Sequence, residues 1–131
     1  TEAEWEYACR AGTVTRFNTG DQLPVILQKS QRHRDEPNPV LTVVAQTQPN
    51  SWGLHDMHGN LFEHVFDTYR YDYENMPDVD PVNYAGPGAL RLVRGGFANS
   101  QARRTRSACR VDFTPTGPHF ADGLRVVRTA D

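Results

Sequence analysis

The run Gly53-Leu54-His55-Asp56-Met57-His58-Gly59-Asn60-Leu61-Phe62-Glu63-His64 constrains this chain more than any other segment. It sets one carboxylate, a glycine turn and a second carboxylate close together, then leads into partly alternating apolar positions. Asp56 and Glu63 can supply side-chain oxygens, and Gly59 lets the backbone turn sharply enough to aim carbonyls between them. Hard cations such as calcium take oxygen sets of this kind. The same spacing also suits a plain turn, with Asp56 as its cap and Glu63 in solvent.

A chain of 131 residues fits one domain and can bury a core. Its net charge of −2 gives no general bias toward nucleic acid. No apolar run reaches the roughly 18 residues that a membrane-crossing helix needs. The two cysteines, Cys9 and Cys109, match no zinc or redox spacing. Buried free thiols packing as small apolar groups are the simplest account, and a Cys9–Cys109 disulfide is left open.

Thr1 and Glu4 form a capping box, so a short helix of about ten residues is expected there. Trp5, Ala8 and Cys9 make its apolar face, and Gly12 is expected to end it. Residues 13–50 are irregular and broken by Pro24, Pro37, Pro39 and Pro49. Within them, Gln31 to Glu36 reads as a solvated charged loop and Val40 to Val44 as a short strand. Asn60 to Tyr69 reads as a strand with Phe62, His64 and Phe66 on a largely buried side. Residues 70–89 read as a surface loop. Further strands are expected at Leu90 to Arg94, Thr105 to Val111 and Leu124 to Arg128. Short strands, a few helices and long loops make an α+β class. His55, His58 and His64 read as turn and surface residues.

Four motifs in order resemble one family. Thr1-Glu2-Ala3-Glu4-Trp5-Glu6-Tyr7-Ala8-Cys9-Arg10-Ala11-Gly12 is similar to T-E-A-E-W-E-Y-A-x-R-x-G. The run at 53–64 resembles G-L-x-D-M-x-G-N-x-x-E-W. Arg94-Gly95-Gly96 with Arg106-Ser107-Ala108-Cys109-Arg110 resembles R-G-G-S-W and R-S-A-x-R. Gly123-Leu124-Arg125-Val126-Val127-Arg128 resembles G-F-R-V-V-R. This is the sulfatase-modifying factor family, whose best-known member is the formylglycine-generating enzyme. The resemblance implies a complex C-type-lectin-like fold with little regular structure. It places the first motif in mid-domain, so residues 1–131 are expected to be the C-terminal part of one such domain, with an N-terminal half missing.

The resemblance also implies a calcium site built from the side chains of Asp56 and Glu63 and the carbonyls of Gly59 and Leu61. The family enzyme holds copper through two cysteines soon after the Gly-Gly pair, and copper(I) requires such soft thiolates. Here residues 97–105 read Phe97-Ala98-Asn99-Ser100-Gln101-Ala102-Arg103-Arg104-Thr105, with no cysteine and with Phe97 in place of the active-site serine. That departure argues against copper. Some extracellular relatives bridge the first-motif cysteine to one after G-F-R, a position held here by Val126. Of the crowded arginines, Arg94, Arg106, Arg110 and Arg125 fall on family positions and are expected to pair with buried carboxylates or carbonyls.

The expected function is therefore a calcium-stabilised, non-catalytic binding or accessory module. Phe97, Asn99, Arg103 and Arg104 are the candidate contacts for a peptide, protein or glycan ligand. The alternatives are a formylglycine-generating-type oxidoreductase acting on protein cysteine, or a related oxidative enzyme with catalytic residues outside these 131, and a lectin-like recognition domain.

Overall fold

The computed structural model describes residues 1–25, 27, 41–114 and 121–128. The charged run Gln31 to Glu36 lies outside the described residues.

Helix α1, Glu2–Arg10, starts as the sequence dictates. Thr1 Oγ1 accepts the Glu4 N–H, and the Glu4 carboxylate reaches back to the chain's amino group at 2.7 Å. The helix ends one residue early. Ala11 is the left-handed cap at φ 45, with its N–H donated to the Tyr7 carbonyl, and Gly12 follows at φ 90. Asn50 explains how an alanine is held there. Its side-chain amide donates to the Ala8 carbonyl, and Ser51 Oγ donates to the Ala11 carbonyl, each at 2.7 Å. A second loop thus satisfies the orphan carbonyls of the helix end.

The sheet has the order β3-β2-β1-β4. Strand β1 is Phe62–Thr68, β2 is Arg91–Arg94, β3 is Val111–Phe113 and β4 is Asp122–Gly123. Pairing is antiparallel across β1, β2 and β3 and parallel between β1 and β4. Helix α1 and short strands joined by long loops make an α+β architecture.

Three expected strands change. Residues 41–44 form none, and the Asn60 side-chain amide takes both backbone hydrogen bonds of Thr42 that a strand partner would have taken. Thr105 to Val111 is mostly turn, because a 3-10 helix at Ala102–Arg104 and two bends precede β3. Only Asp122–Gly123 pairs at the end of the described chain, leaving 124–128 irregular with Leu124, Val126 and Val127 more than four-fifths exposed.

Of the side of β1 expected to be buried, Phe62 is buried, at 6% exposed, but His64 and Phe66 are not. Phe66 is 60% exposed and His64 is exposed, while Glu63 and Asp67 are buried. The reason is α1, which packs on the Glu63–Val65–Asp67 face and brings hydrogen-bond donors with it. Asp67 takes the Glu2 N–H at 2.6 Å and the Asn83 N–H at 2.9 Å. A carboxylate at a helix N-terminus also meets the positive end of the helix dipole. The apolar core is split accordingly. Trp5, Cys9 and Met57 fill the helix side, with Leu54 and Val65 against them. Phe62, Val93 and Ala121 fill the other, under Phe97, Val111 and Phe113.

Candidate functional site

The Gly53–His64 turn is pinned from several directions. Gly59 donates its N–H to the Gly95 carbonyl at 2.8 Å, joining this turn to the Arg94-Gly95-Gly96 bend. Gly96 has φ 74, and a Cβ there would lie 2.7 Å from Thr105 Cγ2 and 3.0 Å from the Arg104 carbonyl. Only glycine fits both that backbone and that space.

Asp56, Gly59, Leu61 and Glu63 line one cavity of about 300 Å³, together with Arg125. Neither carboxylate is idle. Asp56 accepts the Ala45 N–H at 2.7 Å and the Thr47 hydroxyl at 2.6 Å. Glu63 is not solvated. It accepts the Trp5 indole N–H at 2.7 Å and two guanidinium bonds from Arg125, at 2.8 and 2.6 Å. Arg125 also donates to the His55 carbonyl. Its hydrogen bond to Glu63 holds its pKa above the ordinary guanidinium range, although burial pulls the other way.

A carboxylate carries about four lone-pair directions. Glu63 uses three and Asp56 two, so both keep acceptor capacity, and Gly59 and Leu61 line the same cavity. The donor set fits calcium in kind. Arg125 already offsets one of the two negative charges, which lowers the affinity such a site can reach.

The family-position arginines divide. Arg94 is fully buried, donates to the Cys109 and Ser107 carbonyls, pairs with Glu6 and lies over the Trp5 ring at 5.1 Å. Arg110 grips Glu2 and stacks on Tyr73 at 4.4 Å. Arg125 holds Glu63. Arg106 departs from the expectation. It is exposed and, among the described residues, donates to the Arg103 carbonyl alone, because the turn before β3 carries it outward.

The candidate ligand contacts are split as well. Phe97 turns inward onto Phe62, with ring centroids 5.2 Å apart. Its N–H is donated to Ser100 Oγ at 3.0 Å. Asn99 is half-buried, while Arg103 and Arg104 are exposed on the 3-10 helix. Arg103, Arg104 and Arg106 make no ion pair among the described residues, so they form a basic corner. The motif position of Arg106 predicts a buried partner, which the structure does not give it among the described residues. A signal that could have found it is its place only two residues after Arg104 in a turn-forming stretch.

Neither cysteine forms a disulfide. Cys9 is fully buried, and burial pushes its thiol up to about 11. Cys109 is half-buried, not buried as a core thiol would be, and burial likewise raises its pKa. Thiols held protonated are poor nucleophiles and poor soft-metal ligands. The donor set described does not fit a copper centre. His58 is a core residue and not a surface one. Its Nδ1 lies 2.7 Å from the Thr105 carbonyl and its Nε2 takes the Asn18 N–H at 3.0 Å. Desolvation holds its pKa below the usual imidazole value.

Residues 1–130 match the model of the sulfatase-modifying factor enzyme 1-like domain. The formylglycine-generating enzyme of Streptomyces coelicolor is 34% identical across the whole chain, which spans 46% of that protein. The serine/threonine-protein kinase pkn1 of Chlamydia pneumoniae is 32% identical over 98% of the chain, which spans 20% of it. The chain therefore spans less than half the length of these relatives. Among solved structures, Treponema denticola variable protein 1 superposes with a TM-score of 0.74 at 25% identity, covering 95% of this chain and 44% of that one. PvdO from Pseudomonas aeruginosa gives a TM-score of 0.70 at 26% identity, covering 88% of this chain and 46% of that one. The four motifs, the α+β fold built on the Gly59–Gly95 junction and these matches have one reading: the chain belongs to the sulfatase-modifying factor enzyme 1-like family and has its fold.

Proposed function

We propose that this chain is part of a binding or accessory module of that family, steadied by calcium and without copper chemistry of its own. The observation that carries this reading is the segment after Gly95-Gly96. It holds no cysteine, its first side chain packs onto Phe62, and its Ser100 hydroxyl caps the Phe97 N–H. The match to a stretch that makes up 20% of a protein named a kinase supports use of the domain beside other chemistry. On this reading Arg103 and Arg104, joined by Arg106, contact an acidic peptide or protein segment. Asp56, Gly59, Leu61 and Glu63 would hold the calcium, whose role is to fix the 45–63 loops.

The second reading is a formylglycine-generating oxidoreductase acting on protein cysteine through residues outside this chain. The 34% identity to the Streptomyces coelicolor enzyme favours it. A turnover assay on a sulfatase-type cysteine peptide separates the two, using the protein with and without added copper and a cysteine-competent relative as control. No formylglycine is expected, and clear turnover would overturn the module reading. An acidic peptide should bind saturably and salt-sensitively, and the Arg103→Ala, Arg104→Ala double variant should lose that binding.

A further inference from the structure

A larger cleft, about 540 Å³, shares only Asp56 with the cavity described above. Its walls come from two separate loops. Asn18 and Gln22 stand on one, Gln46 and Gln48 on the other, with Met57 and His58 buried at its floor. Leu23 and Pro24 add a short aliphatic edge. No hydrogen bond among the described residues ties down the side chains of Gln22, Gln46 or Gln48.

The described lining is rich in carboxamides and carries one carboxylate, Asp56. No Lys or Arg lies among its described residues. Both oxygens of Asp56 already accept bonds from the 45–47 loop, and both ring nitrogens of His58 are engaged. Among the described residues a phosphate or carboxylate would find no cation and would face the Asp56 carboxylate. A greasy ligand would leave carboxamides unmatched, at a desolvation cost. Each carboxamide offers donors and an acceptor side by side. Vicinal hydroxyls of a sugar present the same pair in reverse, and a C–H face of the ring suits the Leu23–Pro24 edge. A peptide brings more apolar side chain than this short edge can cover.

We infer that the cleft between the 18–25 and 46–48 loops binds a short neutral saccharide. The site is separate from the basic corner, so its failure and that of the acidic-peptide reading are distinguishable.

The test is saturation-transfer NMR followed by calorimetry on the protein. The probes are glucose, galactose, mannose and N-acetylglucosamine with lactose, cellobiose and chitobiose. Glucuronic acid and a neutral Ala-Pro tetrapeptide form parallel arms. At least one neutral sugar should bind, with little change between low and high salt. The Gln22→Ala, Gln46→Ala double variant should weaken it by about tenfold or more, the effect of losing two or more neutral hydrogen bonds. Both side chains are exposed, and an unchanged thermal melt would verify the fold. The Arg103→Ala, Arg104→Ala variant should bind the sugar as the parent does. The inference is overturned if no neutral sugar binds, if the double glutamine variant binds as well as the parent, or if the tetrapeptide or glucuronic acid is preferred.

Discussion

Arg110 grips Glu2 with two hydrogen bonds, 2.6 and 3.0 Å long, tying the turn before β3 to the first residue of α1. Glu2 is 6% exposed, and Tyr73 and Tyr69 flank the guanidinium. Arg94 stays 3.4 Å from the Glu2 carboxylate and the Tyr73 hydroxyl donates to it at 3.2 Å, so removing Arg110 weakens the support of a buried charge without stranding it. Arg110→Ala should therefore cost about 1.5–3 kcal/mol in urea unfolding, the range for hydrogen bonds to a charged group. Arg110→Lys should recover only part of this, because an ammonium cannot form the two-pronged bond. A loss no larger than that of a surface substitution would show the pair to be dispensable.

Trp5 carries two separable contributions. Its ring fills the helix-side core, and its N–H reaches Glu63. Trp5→Phe should keep most of the packing and lose a hydrogen bond to a charged acceptor, about 1.5–3 kcal/mol. Trp5→Ala should cost about 3–5 kcal/mol. Equal losses in the two variants would mean that the indole N–H, and not the ring, sets the stability.

Calcium should raise the melting temperature, since a ligand that binds only the native state stabilises it by mass action. The rise should be modest, because Arg125 occupies much of Glu63. Asp56→Asn should abolish the calcium-dependent part while keeping the Ala45 and Thr47 contacts largely matched in shape. Magnesium, which dehydrates reluctantly and demands tighter geometry, should substitute poorly. A melting temperature indifferent to calcium would remove the cation from the reading.

His58 predicts an acid weakness. Its folded-state pKa lies below the usual 6.5 because it is desolvated. The unfolded chain therefore takes up a proton at a pH where the native state refuses it. That contribution is intact above about pH 6.5 and is lost as pH falls below it, toward the native pKa. Unfolding midpoints measured from pH 8 down to about pH 5 should decline. The decline should be shallower in His58→Gln, which keeps a donor for Thr105 and an acceptor for Asn18. An identical slope in both proteins would assign it to other groups.

The sequence by itself determined the local chemistry. The capping box at Thr1 and Glu4 forms, β1 and β2 lie within the expected stretches, and the four motifs carry the family's signature. These depend on neighbours in the chain or on recurrent strings. The tertiary structure decided which face is buried and where each helix or strand stops. Alternation at 62–66 pointed the aromatic side inward, yet α1 packs on the acidic side because its Trp5 N–H, Glu2 N–H and the arriving Arg125 satisfy those carboxylates. Gly12 was the natural helix stop, but Asn50 and Ser51, some forty residues on, let Ala11 do it. Arg106 and Arg110 stand in one motif with opposite fates, one in solvent and one on Glu2. Hydrogen bonds between distant segments made those choices, and no local pattern encodes the partner that will be waiting.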